Sequence, residues 1–297
     1  MVLSEVRKVE EDNRRAKSVE LGQQGAWTRW NLPERKLTWS DIWKMEPLRI
    51  RFLLRSVYDV LPSPTNLSRW GLIDDPRCKL CGEKGTMAHI LSGCKTALQQ
   101  GRYRWRHDKV LQVLADILDK EIKKPRGPKH RSHHITFVRQ GEKARSPSHR
   151  TSSILDGTRW QMKVDLNSKL VFPEIVQTNL RPDIVIWSSE QKSIVVIELT
   201  VPWEEGCEEA HERKSAKYEE LMEMCRDRGW KTWLFPVEVG CRGFPAQSVW
   251  KTFSLLGIQG KERRTAIRRL QEQAEKSSCW LWYRREETSW KPSIDTQ

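Results

Sequence analysis

Cys78, Cys81, His89 and Cys94 stand in the spacing Cys-x2-Cys-x7-His-x4-Cys. Three thiolates and one imidazole are the donor set that suits a closed, four-coordinate Zn²⁺ site. A Cys-x-x-Cys pair alone also serves redox chemistry, and a single histidine is more often a packed side chain. The four together, at knuckle spacing, point to metal. With every coordination position filled by protein, the ion has a structural task and positions nucleic acid rather than catalysing. The loop is short and polar and gains its fold from the metal. Gly82 follows the second ligand and Gly93 precedes the last, and each is expected to relax the backbone there.

Asp183 and Glu198 form the second constellation, with fourteen residues between them. Glu198 interrupts the apolar run Ile194, Val195, Val196, Ile197, where a carboxylate is costly unless it is paired or bound to metal. Residues 188–192 are polar and can turn a hairpin, which would lay two strands side by side and bring both carboxylates to one end. Mg²⁺ or Mn²⁺ held there would bind a scissile phosphate, lower the pKa of an attacking water and neutralise charge in the transition state. Such a site calls for a nearby cation. Cys207, Ala210, Lys214, Lys217, Leu221 and Met224 recur at spacings of three and four, one stripe of a helix. Lys214 or Lys217 therefore reaches the carboxylates, or both follow the apolar surface out to solvent.

Elements must hold these residues. Residues 1–38 are a polar N-terminal segment. Residues 39–122 are a helical region that contains the zinc module at 78–94, and within it residues 96–122 read as one helix. Its exposed side is expected to be basic, with Arg102, Arg104, Arg106 and Lys109. Residues 123–152 turn to Lys, Arg, His, Pro, Gly and Ser, with Lys123, Lys124, Arg126, Lys129 and Arg131 close together, the composition of a basic linker. Strand-like segments follow at 160–166, 170–176, 183–187, 194–201 and 232–239, with helices at 204–228 and 246–256. A basic helix and tail occupy 261–297. Strands, helices and a returning strand predict an α/β sandwich over residues 153–260, behind a small helical zinc-binding region.

The chain has 297 residues and a net charge of +14, from 53 Lys and Arg against 39 Asp and Glu, which favours nucleic acid as partner. No apolar run approaches the roughly 20 residues of a membrane span. The charged N-terminus does not read as a secretory signal, and seven cysteines, an odd number, fit metal binding in a reducing, intracellular compartment. Most of the fifteen tryptophans are expected in packing roles.

Pro182-Asp183, then Glu198, then a lysine, resembles the PD-(D/E)xK restriction-like nuclease superfamily. Thr200 stands where that pattern has its lysine, two residues after the second carboxylate, so the lysine would come from Lys214 or Lys217. This displaced form, Arg181-Pro182-Asp183, Glu198 and Lys214-x-x-Lys217-Tyr218 behind a Cys-Cys-His-Cys module, is similar to the C-terminal endonuclease of site-specific non-LTR (LINE-like) retrotransposons. Ser68-Arg69-Trp70-Gly71 and His89 to Cys94 also look like the zinc-binding region that follows such a reverse transcriptase. The resemblance, over residues 40–240, implies a restriction-endonuclease-like fold and a nuclear enzyme that nicks target DNA so that the freed 3′-hydroxyl primes reverse transcription. It implies structural Zn²⁺, catalytic Mg²⁺ or Mn²⁺, and target DNA and element RNA as partners. No Tyr/Phe-x-Asp-Asp polymerase signature occurs, so the chain is expected to be the C-terminal piece of an element's reading frame or a remnant. The alternative is a zinc-dependent nucleic-acid-binding protein with an inert nuclease fold.

Overall fold

The computed structural model describes residues 2–124, 153–157, 159–166 and 169–290. Most of the basic linker, including Arg126, Lys129 and Arg131, and the last residues of the tail lie outside the described residues. The helices are α1 (Val2–Glu20), α2 (Trp39–Trp43), α3 (Pro47–Val57), α4 (Pro64–Arg69), α5 (Lys95–Gln99), α6 (Arg102–Ile122), α7 (Cys207–Asp227), α8 (Gln247–Leu255) and α9 (Gly260–Tyr283). The strands are β1 (Gln161–Val164), β2 (Ile184–Ser188), β3 (Ser193–Thr200) and β4 (Lys231–Glu238). No helix among the described residues is long and apolar enough to cross a membrane.

The four strands run in the order β1-β2-β3-β4, antiparallel except for the parallel pair β3 and β4. A parallel neighbour cannot be reached by a tight turn, and α7 supplies the crossover. Alternation along β2 and β3 splits the sheet into two faces. Ile184, Ile186, Val195, Ile197 and Leu199 join the larger core with residues of α6, α8 and α9. Val185, Ile194 and Val196 face Tyr218, Leu221, Met222 and Cys225 of α7. The larger core also takes in Met87 and Leu91 from the zinc region, so helical region and sheet are packed together. The result is a mixed helical and sheet protein with a small Cys/His region at one side.

Three local expectations are corrected. Residues 170–176 form no strand. Pro173 has no N–H to give a ladder, and the segment instead lays Leu170, Phe172, Ile175 and Val176 over the core on the α7 side. Residues 96–122 are two helices, because Gly101 adopts a left-handed backbone (φ 74°) between α5 and α6. Arg102 and Arg106 are buried rather than part of an exposed basic side, each only 2 % accessible. Arg102 donates to the carbonyls of Arg284 and Glu287. Arg106 donates from Nη1 to Leu91 O (2.8 Å) and Ser278 Oγ (3.1 Å), and from Nη2 to Val201 O (3.0 Å). A guanidinium offers five donors in a fixed fork, which suits a point where several carbonyls converge.

Candidate functional site

The zinc ligands come from a knuckle and a turn. Gly82 N–H donates to Cys78 O, and Cys78 N–H donates to Glu83 O, closing the knuckle; Gly82 takes φ 76°. Gly93, unlike Gly82, is not in the left-handed region. His89–Gly93 instead winds as one wide π turn that carries His89 toward the knuckle and ends at Cys94. Tyr103 of α6 clamps that turn: its hydroxyl donates to Ile90 O (2.9 Å) and accepts from Cys94 N–H (3.0 Å).

The side-chain donors of Cys78, Cys81, His89 and Cys94 all lie within 4.8 Å of one another. Cys78 Sγ and Cys94 Sγ are 3.9 Å apart, and Cys81 Sγ and His89 Nε2 are 3.2 Å apart. Ligands at about 2.0–2.3 Å around a tetrahedral ion are separated by about 3.5–3.8 Å, so the cluster fits zinc. Burial pushes the Cys94 thiol up to about 11 and lowers the His89 pKa. The Cys94 thiolate therefore needs the ion's charge, and binding the ion releases that proton.

The carboxylates meet as neighbours across two strands. In the β2–β3 register Ile184 faces Ile197, so Asp183 and Glu198 are opposed one step beyond. Both are buried. Asp183 N–H donates to Glu198 Oε2 (3.1 Å), and Leu199 N–H donates to Asp183 Oδ2 (2.8 Å). Lys214 Nζ of α7 lies 2.5 Å from Glu198 Oε1. Burial and then repulsion from Asp183 raise the Glu198 pKa, against the pull of Lys214. The pair opens into a cleft of about 470 Å³ that Arg104, His107, Asp165, Arg181, Lys214 and Lys217 also line.

Of the two lysines, Lys214 is the one that meets Glu198. Lys217 is exposed, and its Nζ donates to Tyr218 Oη (3.0 Å). The buried stripe of α7 runs through Tyr218 rather than Lys217, because the wider apolar ring takes the sheet-facing position.

Three side chains at the site were not anticipated. Asp165 follows β1, where its N–H donates to Asp183 O. Arg104 Nη2 reaches Asp165 Oδ2 at 3.7 Å. His107 of α6 places Nε2 3.2 Å from both Asp183 Oδ2 and Leu199 O, and Nδ1 3.0 Å from Asp108 Oδ1. Burial alone would lower the His107 pKa, but hydrogen bonds to Asp108 and Asp183 outweigh it and raise it to about 9. The adjacent His107-Asp108 pair is the sequence signal, and it carries no hint of a carboxylate partner far along the chain.

Residues 24–100 match the family model described as zinc-binding in reverse transcriptase. All four zinc ligands lie inside the match, which spans about a quarter of the chain. Over that stretch the chain is similar to the zinc-binding domain of reverse transcriptases, and its geometry supports structural Zn²⁺. No curated protein matches the chain.

Proposed function

We propose that this chain is a retrotransposon-derived, divalent-metal-dependent DNA endonuclease of restriction-endonuclease-like fold, whose zinc module positions nucleic acid. The observation that carries the reading is the buried pair Asp183 and Glu198, opposed across β2 and β3 at the floor of a cleft, with Lys214 on Glu198. Asp183 and Glu198 would hold Mg²⁺ or Mn²⁺, which when bound activates a water and offsets phosphate charge. Lys214, beside Glu198, would steady charge on the phosphate or orient the water. Arg104 and Arg181 at the cleft wall give the strand's phosphates cationic partners. Nicking of target DNA, with element RNA as a further ligand and the nucleus as location, completes this reading.

The decisive experiment is nicking of supercoiled plasmid by zinc-loaded protein in Mg²⁺ or Mn²⁺. Asp183→Ala and Glu198→Ala are expected to lower the rate about 100-fold or more, the scale of losing preorganised charge stabilisation. Equal cutting by Asp183→Ala would remove the assignment. One observation favours a second reading, a zinc-dependent nucleic-acid binder with an inert nuclease fold: the residues matched to a known family, 24–100, are those that carry the four zinc ligands. Salt-sensitive binding that collapses on chelation, with no cleavage in either ion, would select it.

A further inference from the structure

The two oxygens that converge on His107 define a point in the cleft. Asp183 Oδ2 and Leu199 O each lie 3.2 Å from Nε2, and the nearby Glu198 accepts a hydrogen bond from Asp183 N–H. A carboxylate oxygen and a carbonyl oxygen are the donors a divalent cation takes. Neighbouring ligands around an ion of this size are about 3 Å apart, the separation seen between the imidazole nitrogen and each oxygen. The other ring nitrogen is 3.0 Å from Asp108 Oδ1. A histidine that ligates through Nε2 commonly donates Nδ1–H to a carboxylate, which fixes ring orientation and makes the ligating nitrogen more basic.

The helix holds the ring from behind. Arg106, one residue earlier, ties α6 to Leu91 O in the zinc turn and to Val201 O just past β3. His107 is thus presented to the carboxylates by the helix that also braces the zinc module.

We propose that His107 is a nitrogen ligand of the divalent ion at the Asp183–Glu198 centre, beside the carboxylates and Leu199 O, and that the centre therefore takes Mn²⁺ in preference to Mg²⁺. The inference rests on the nuclease reading of those carboxylates. Imidazole suits first-row transition ions, whereas Mg²⁺ keeps to oxygen. On binding, any proton on Nε2 would pass to solvent and its lone pair would face the metal, while Nδ1 keeps its proton and donates it in a hydrogen bond to Asp108.

The test uses the untagged, zinc-loaded full chain titrated with Mn²⁺ and, in competition, Mg²⁺, with pulsed electron paramagnetic resonance of the bound Mn²⁺. The wild type is expected to bind Mn²⁺ at least tenfold more tightly than Mg²⁺ and to show coupling from an imidazole nitrogen. His107→Gln is expected to lose that coupling and about 10- to 100-fold in Mn²⁺ affinity, with a smaller change for Mg²⁺ and unchanged zinc content and circular dichroism. His107→Asp, which restores a ligand but an oxygen one, should recover binding and shift preference toward Mg²⁺. Mn²⁺ binding that Asp183→Ala abolishes, yet that lacks nitrogen coupling and ignores His107→Gln, overturns this proposal and leaves the nuclease reading standing. Folded protein that binds neither ion in an Asp183-dependent way overturns both.

Discussion

Glu275 on α9 has no access to solvent and meets Arg35 and Arg49, with Arg49 Nε 2.6 Å from Oε1. These arginines come from the chain before and within α3, so one carboxylate fastens the N-terminal part of the molecule to α9. Removing a partner from a buried ion pair leaves uncompensated charge, and Glu275→Ala should destabilise by about 3–5 kcal/mol in urea unfolding. Lys214 and Lys217 are separable in the same way. Lys214→Ala should slow plasmid nicking by at least about tenfold, the cost of a lost charge-assisted contact, and Lys217→Ala should slow it less. His107 gives a pH signature in protein free of divalent ion. Its pKa is raised to about 9, so the stability it contributes is complete below the ordinary histidine value of about 6.5 and is lost as pH rises through 9. Chemical denaturation at several pH values should show that decline in the wild type and not in His107→Gln.

At the level of elements, the zinc region and α6 behave as one unit, because Tyr103 and Arg106 both hold the π turn between His89 and Cys94. Cys94→Ser should drop zinc from one ion per chain to none and lower the melting temperature. Metal content and thermal unfolding read the two effects, and a variant that keeps zinc and its melting point would refute the ligand assignment. Helices were legible as elements, since apolar spacing marked α6 and α7, but their inward faces were legible only in part: Arg102 and Arg106 are buried on α6, and Tyr218 takes the place expected of Lys217 on α7. The hairpin was legible too, since polar residues 188–192 separate two apolar runs and fix the register that opposes Asp183 to Glu198. The strand expected at 170–176 was not, because apolar alternation describes a covering segment as well as a ladder, and only Pro173 argued against it. Buried Arg102 and Arg106 were illegible because most of their acceptors lie in distant segments, at residues 201, 278, 284 and 287. His107 was hidden for the same reason, its partner Asp183 being brought near by tertiary packing.

Across the whole molecule, the net charge of +14 contrasts with a carboxylate centre buried at the floor of its cleft. Binding and cutting should therefore separate. Contacts with phosphates release counterions, so the logarithm of DNA affinity should fall linearly with the logarithm of salt concentration, by about 0.9 for each phosphate neutralised. For a footprint of about six to ten phosphates, affinity drops about 10³- to 10⁵-fold between about 50 and 200 mM salt. Asp183→Ala should keep this slope, because it removes a buried anion and no surface cation. Arg104→Ala combined with Lys217→Ala, both at the cleft wall, should make the slope shallower by about two units. Fluorescence anisotropy across a salt series measures both. A slope that changes with Asp183 and not with the wall cations would mean that the acidic centre itself, through a bound ion, supplies the affinity, and the division between a cationic surface that holds DNA and a buried centre that cuts it would have to be given up.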